Sequence, residues 1–170
     1  AALGVYHIML NQPRKVSNML DSMKGSYLGP QYSQNEITER LIQCGAVFTN
    51  YEDDEVIEYA AQALADGKAI GWHAGRMEFG PRALGARSIL ADPRSPSMQK
   101  LLNLKVKYRE SFRPFAPSVL RQDIKQWFEM DTDSPYMLLV ADVAKSKRKE
   151  MTKKENSLFG INKLNIPRSS

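Results

Sequence analysis

Between Trp72 and Pro117, arginine and lysine alternate with glycine, proline and apolar residues, and this limits the possible fold more than any other feature. The first dense piece reads Trp72-His73-Ala74-Gly75-Arg76-Met77-Glu78-Phe79-Gly80-Pro81-Arg82-Ala83-Leu84-Gly85-Ala86-Arg87-Ser88-Ile89-Leu90. The second reads Lys105-Val106-Lys107-Tyr108-Arg109-Glu110-Ser111-Phe112-Arg113-Pro114-Phe115-Ala116-Pro117. Glycine and proline at this density set turns, while the apolar residues between the charges call for a core. From His73 to Arg113 there are nine Lys and Arg against three acids, an excess of +6 in a 170-residue chain whose total is +5. The formal excess is thus concentrated in one folding stretch, the pattern of a pocket for an anion.

An apolar content of 42% in 170 residues predicts one core and one main domain. No run reaches the roughly 18 apolar residues of a membrane span, and the N-terminus lacks the basic, apolar and small-residue order of a signal peptide, so the cytoplasm is the expected location. The single cysteine, Cys44, cannot form an internal disulfide, in keeping with a reducing compartment, and its place on the apolar side of a helix predicts a small core residue. A pI near 9.3 admits nucleic acid, an acidic membrane surface or a phosphorylated small molecule as partner.

Ala1 to Asn11 has Leu3, Tyr6, His7 and Leu10 at helical spacing but no cap and no initiator Met, which predicts that residues 1–24 are the tail of a preceding domain or a linker. Gly25-Ser26-Tyr27-Leu28-Gly29-Pro30 marks the boundary. Ser33 and Glu36 have capping-box spacing, opening a helix with Ile37, Leu41 and Cys44 inward and Gly45 as its stop. Ala46 to Tyr51 suits a strand. Asp53 to Asp66 suits a helix that buries Val56, Ile57, Ala60, Ala61 and Leu64. Strands are predicted at Ala69–Trp72, Ser88–Ala91, Phe115–Leu120 and Met137–Val143, and a helix from Ser95-Pro96 that carries Met98, Leu101, Leu102 and Leu104 inward. This alternation predicts an α/β or α+β sheet with helices packed on it. Lys145 to Arg168, with eight basic residues and two acids, reads as a solvated linker.

Pro81 after Gly80 suits the first turn of a helix, which would carry Arg82 to Arg87 and aim free amides at a ligand. Lys105, Lys107 and Arg109 alternate, which would put all three on one side of an extended segment with Tyr108 facing the core. Arginine holds phosphate oxygens with a planar fork, and lysine acts as a point charge. The stretch has no cysteine, one histidine (His73) and few acids, so a nucleophilic triad and a protein-only zinc site are poorly supported. Positioning and charge stabilisation, as in phosphoryl and adenylyl transfer, fit better.

The run Gly75 to Pro93 closely resembles a signature of the C-terminal domain of O-carbamoyltransferases, which include nodulation-protein and antibiotic-tailoring enzymes. Lys107 to Ser118 resembles their second signature, and Tyr27-Leu28-Gly29-Pro30 and Ser134-Pro135-Tyr136-Met137 their flanking landmarks, over about residues 25–145. The resemblance implies a YrdC-like α/β domain with a concave, twisted, mostly open mixed sheet. It implies an enzyme that makes carbamoyl adenylate from carbamoyl phosphate and ATP, with Mg²⁺ accompanying the ATP, for transfer to a hydroxyl acceptor by a preceding metal-binding domain. Lys107 and Arg109 take the catalytic, phosphate-facing roles. Arg76, Gly80, Arg82, Arg87, Ser88, Arg113 and Ser118 are carried over to the substrate and nucleotide site; no residue is carried over to a metal.

Two departures qualify the resemblance. His73-Ala74 stands where relatives often carry an aromatic-Gln pair. The family also continues into a Thr-His-Val-Asp-Gly-type segment, whereas this sequence ends at Ile166-Pro167-Arg168-Ser169-Ser170, so residues 25–170 are expected to be a domain truncated at its C-terminus. Such a piece would bind ligand without completing transfer. The alternative is a single-strand nucleic-acid or RNA-binding module, because Phe79, Tyr108, Phe112 and Phe115 lie among the basic residues as stacking platforms would.

Overall fold

The structure, a computed structural model, describes residues 1–15, 21, 23–160 and 162. The expectations placed on the end of the 1–24 tail and on the basic segment beyond residue 162 fall in part outside the described residues. The class is mixed α/β: six α-helical segments accompany a two-stranded antiparallel sheet among the described residues.

Helix α1 (Ala2–Gly4) passes directly into a wider helical turn, Val5–Met9, which closes when Leu10 N–H donates to the Val5 carbonyl at 3.0 Å. Helix α2 (Gln34–Gln43) begins at the predicted capping box, with Glu36 N–H donating to Ser33 Oγ at 3.3 Å and Ser33 N–H to Glu36 Oε2 at 2.8 Å. Helix α3 (Asp53–Ala65) places Asp53, Asp54 and Glu55 in its first turn, where carboxylates favour the helix dipole. Both helices stop at the glycine the sequence puts there. Cys44 is exposed rather than part of the core, in the turn that ends α2, where its thiol donates to the Leu41 carbonyl at 3.3 Å.

Strands β1 (Ile70–His73) and β2 (Arg87–Leu90) pair antiparallel with Trp72 opposite Ser88 and His73 opposite Arg87. The first dense piece of the sequence is therefore the connection of a hairpin. Ala74 N–H donates to the Ala86 carbonyl at 3.0 Å and extends the pairing by one step.

Helix α4 (Met98–Leu101) continues into the helical turn Leu102–Val106 and buries Met98, Leu102 and Asn103. After α5 (Ile124–Trp127), residues 127–129 run beside 142–144: Glu129 N–H donates to the Asp142 carbonyl and Ala144 N–H to the Trp127 carbonyl, both at 2.8 Å. Arg148 clamps this contact by donating from Nε to the Val143 carbonyl at 2.6 Å and from Nη2 to Glu129 at 2.8 Å, while Lys147 Nζ lies 4.4 Å from the Trp127 ring centre. The start of the basic stretch is thus fastened to the fold. Helix α6 (Lys153–Asn156) also opens on a capping box, Thr152 with Glu155.

Three predicted strands are not laddered. Ala46–Tyr51 and Phe115–Leu120 have no strand partner among the described residues, and Met137–Val143 contributes only the single bridge Val143–Phe128. Pro117 removes a donor from the second segment, and Met137, at φ +52°, bends the third out of extended conformation. The predicted broad sheet is accordingly a hairpin here. The core is also smaller than composition suggests: among the described residues, the buried apolar ones are Ala86, Met98 and Leu102. The accessible surface of 14380 Å² exceeds the about 8,400 Å² expected for a folded monomer of this mass. Val47, Leu138, Val140 and Phe159 stand open to solvent.

Candidate functional site

The hairpin connection is organised from within by Glu78, which is only 4% exposed. Its Oε1 accepts from Leu84 N–H at 2.7 Å and Ala86 N–H at 2.8 Å, and its Oε2 accepts from Arg87 Nε at 2.9 Å. Arg87 also donates from Nη2 to the Gly80 carbonyl at 3.1 Å. Burial pushes the Glu78 carboxyl up, but the hydrogen bonds from Arg87, the Leu84, Ala86 and its own N–H outweigh that and hold it at about 2. A carboxylate so held is ionised at neutral pH and is no proton carrier.

This arrangement replaces the predicted helix across Arg82–Arg87. The chain bends at residues 79–82 and 85–86, with Gly80 at φ +130° and Gly85 at φ +121°, regions that a side chain would make costly. The free amides expected after Pro81 are not presented to a ligand as a helix start would present them, and the Leu84 and Ala86 N–H groups turn inward to Glu78. Arg82 is left on the outside of the loop, exposed and without a hydrogen bond or ion pair among the described residues. Phe79, in the same loop, is 75% exposed.

The loop is backed by the first landmark. Gly29 N–H donates to the Met77 carbonyl and Met77 N–H to the Pro30 carbonyl, both at 2.9 Å, and Phe79 N–H donates to the Ser26 carbonyl at 2.7 Å. Tyr27 Oη donates to the Leu84 carbonyl at 3.0 Å, and Arg76 Nη1 to the Gly29 carbonyl at 2.8 Å. Tyr27, Ala74, Arg76, Gly85 and Ala86 line an open depression of about 410 Å³. The second landmark reaches the same region, since Gly25 N–H donates to Tyr136 Oη at 3.2 Å and Tyr136 donates to Asp21. That hydrogen bond lowers the Asp21 carboxyl and raises the Tyr136 phenol.

The second signature is organised by Asn103, which precedes it in the helical turn after α4 and has no exposed surface. Its Nδ2 donates to the Ser111 carbonyl at 3.1 Å and the Arg113 carbonyl at 2.8 Å, and its Oδ1 accepts from Arg109 Nε at 2.6 Å. The Arg109 guanidinium also lies 4.9 Å from the Phe115 ring centre. The predicted alternation does not hold. Lys105 lies in the helical turn that prolongs α4, so Lys105, Lys107 and Arg109 share no extended face. Tyr108, expected in the core, is 86% exposed with φ +49°, because the chain turns there to bring Arg109 N–H to the Asn103 carbonyl at 2.9 Å.

Of the remaining expected residues, Lys107 and Ser118 are exposed and enter no side-chain hydrogen bond among the described residues. Ser88 lies in β2 opposite Trp72, and Arg113 pairs with Glu110 at 2.9 Å on the surface. The structure joins Arg76, Gly80 and Arg87 around one loop and Arg109 and Arg113 around another. No hydrogen bond or ion pair links the two groups among the described residues. Glu78 and Asn103 were not singled out from the sequence. Their available signals were a lone acid between Arg76 and Arg87, and an amide beside Leu102 on a helix that turns its neighbours inward.

Residues 61–155 match the family described as Carbamoyltransferase C-terminus, and the chain belongs to that family. It is similar to the protein sll1178 of Synechocystis sp., 53% identical over 99% of this chain and 28% of the relative. It is also similar to the nodulation protein NolNO of Sinorhizobium fredii, 42% identical over 86% of this chain and 22% of the relative. The 3'-hydroxymethylcephem-O-carbamoyltransferase of Streptomyces clavuligerus is 44% identical over 48% of this chain and 16% of the relative. The chain thus spans about a quarter of the length of the first two of these relatives. No helix among the described residues is long and apolar enough to cross a membrane.

Proposed function

We propose that this chain is the ATP- and carbamoyl-phosphate-binding part of an O-carbamoyltransferase. The observation that carries the reading is Arg109: its Nε is tied to Asn103, its face rests on Phe115, and its Nη groups donate to nothing among the described residues. A guanidinium held in this way offers its outer edge to phosphate oxygens. Lys107 and Arg82, exposed and unpaired among the described residues, add charge that a triphosphate can use. Family membership supplies the carbamoyl half of the reading.

In this reading, carbamoyl phosphate, ATP and one water give carbamoyl adenylate, pyrophosphate and phosphate. Water opens the carbamoyl–phosphate linkage, phosphate leaves, and a carbamate oxygen displaces pyrophosphate from the α-phosphorus. Arginines fixed before the reaction stabilise charge on the leaving pyrophosphate without reorganising. The carbamoyl group then passes to a hydroxyl acceptor on a preceding metal-binding domain of the longer chain. The exposed apolar side chains of Leu138, Leu139 and Val140, consecutive in the chain, support such a neighbour.

Mg²⁺ would arrive on the triphosphate oxygens. The described residues do not fit a protein-held ion: no group of three or more His, Cys, Asp or Glu is placed to hold one, and both Glu78 oxygens are taken. No step here runs through the metal.

A second reading has an observation of its own. Phe79 and Tyr108 are both largely exposed and lie within the basic stretch of the sequence, as do platforms that stack the bases of single-stranded RNA. Calorimetric titration of the full chain with a non-hydrolysable ATP analogue and Mg²⁺, with and without carbamoyl phosphate, tests the first reading. One saturable site is expected; no heat from either ligand, together with tight RNA binding, overturns it in favour of the second.

A further inference from the structure

We infer that Asn103 is a positioning residue that acts through Arg109, presetting its guanidinium as a receptor for a di- or triphosphate. This inference rests on the proposed anion-binding role of Arg109 and deepens it. A free arginine on a loop samples many rotamers, and ordering it on binding reduces affinity. Here the ordering is complete beforehand. The Asn103 carboxamide is fully enclosed and spends each polar group: Nδ2 gathers the Ser111 and Arg113 carbonyls, and Oδ1 takes the Arg109 Nε–H.

The choice of side chain is informative. An aspartate would repel the two carbonyls that Nδ2 now satisfies and would neutralise the guanidinium. A leucine would fill the space yet leave the guanidinium untethered. Asparagine fixes the fork while leaving its full positive charge for a ligand. Because the contact is to Nε, both Nη groups stay free, and Phe115 covers one face of the plane. The outer edge that remains is the one that binds two phosphate oxygens at once. The same carboxamide holds Ser111 and Arg113, so the loop carrying Arg109 and the side chain itself are set by one residue of the α4 extension.

The test measures tripolyphosphate and ATP dissociation constants on the full chain for wild type, Asn103→Leu, Arg109→Ala and the double variant, and follows the Arg109 Nε–H resonance by NMR. Asn103→Leu is expected to weaken both ligands by about tenfold or more, and to cause no further loss in the Arg109→Ala background. The wild-type Nε–H resonance is expected to be resolved and protected from solvent exchange. Wild-type affinity in Arg109→Ala would overturn the anion-binding reading itself, and the positioning role with it. A weakened Arg109→Ala beside a wild-type Asn103→Leu would overturn the positioning role alone. Equal losses from Asn103→Leu in both backgrounds would assign Asn103 to folding only. Rapid exchange of the wild-type Nε–H would overturn the inference whether or not any variant folds.

Discussion

Glu78 and Arg87 form a one-sided ion pair: the carboxylate is enclosed, while a third of the arginine side chain is exposed, and their 2.9 Å contact closes the loop between β1 and β2. The carboxylate also holds the Leu84 and Ala86 amides. Removing it leaves two inward N–H groups and the Arg87 Nε–H without an acceptor, while Arg87 Nη2 keeps the Gly80 carbonyl. Glu78→Ala is therefore expected to destabilise the chain by about 2–3 kcal/mol, less than for a fully buried pair because water reaches Arg87. Urea denaturation of the two proteins checks this.

The same carboxylate gives a pH signature. Its folded value, about 2, lies below its ordinary 4.5, so the unfolded chain binds the proton more readily. The stabilisation is complete above pH 4.5 and is lost as pH falls toward 2. Glu78→Gln, which cannot ionise, should flatten the stability profile in that window. Parallel acid titrations of wild type and variant, followed by circular dichroism, would contradict this if the two curves kept the same slope.

Gly29 is needed for close approach. A Cβ there would lie 2.9 Å from the Met77 carbonyl oxygen and 3.3 Å from that of Glu78, and both are backbone atoms that cannot swing away. Gly29→Ala is expected to cost about 1–3 kcal/mol as overpacking. Gly71, in β1, has nothing within 4 Å of the equivalent position. Gly71→Ala should leave the melting temperature unchanged or slightly raised, which makes it the control.

These contacts show what could be read in advance. Helices α2 and α3 and the paired strands β1 and β2 were legible because their signals are local: Ser33 with Glu36, acids opening α3, and glycines closing both helices. The loop conformation was not. Pro81 has a first-turn preference, but Glu78 competes for the amides that such a helix would use, and that competition depends on a side chain three residues upstream. In the same way, Lys105, Lys107 and Arg109 fit a period of two only if α4 ends before them. Leu102 and Asn103 bury themselves and carry the helix past Lys105. The arginines were visible as a set, but which carbonyl or carboxylate each one meets is tertiary information.

Mutation of the two principal cations separates ligand binding from folding. Lys107 is exposed with no side-chain partner among the described residues, and the Arg109 side chain is held by Asn103 and Phe115. Lys107→Ala is expected to leave the melting temperature within a degree or two, and Arg109→Ala to lower it slightly. Each should weaken ATP by at least about tenfold, as expected for one charge-assisted contact. Arg87→Ala should behave in the opposite sense, with a lower melting temperature ahead of any specific ligand effect, since its side chain serves Glu78 and Gly80. Thermal melts beside calorimetric titrations distinguish the two patterns.

Phe79 and Tyr108 are the last part of the site to assign. Both rings are mostly open to solvent, an arrangement that exposes apolar surface without a folding benefit and that a stacked base would cover. If one ring stacks on adenine, its replacement by Ala should weaken ATP by about 1–3 kcal/mol while leaving tripolyphosphate, which has no base, unaffected. If both serve single-stranded RNA, each replacement should weaken an oligonucleotide, and its affinity should fall steeply between 50 and 200 mM salt, roughly in proportion to the phosphates contacted. Titrating ATP, tripolyphosphate and a short single-stranded RNA against wild type, Phe79→Ala and Tyr108→Ala at two salt concentrations decides between them. A loss confined to ATP assigns the ring to the nucleotide, and a loss confined to RNA overturns the adenylate reading at that residue.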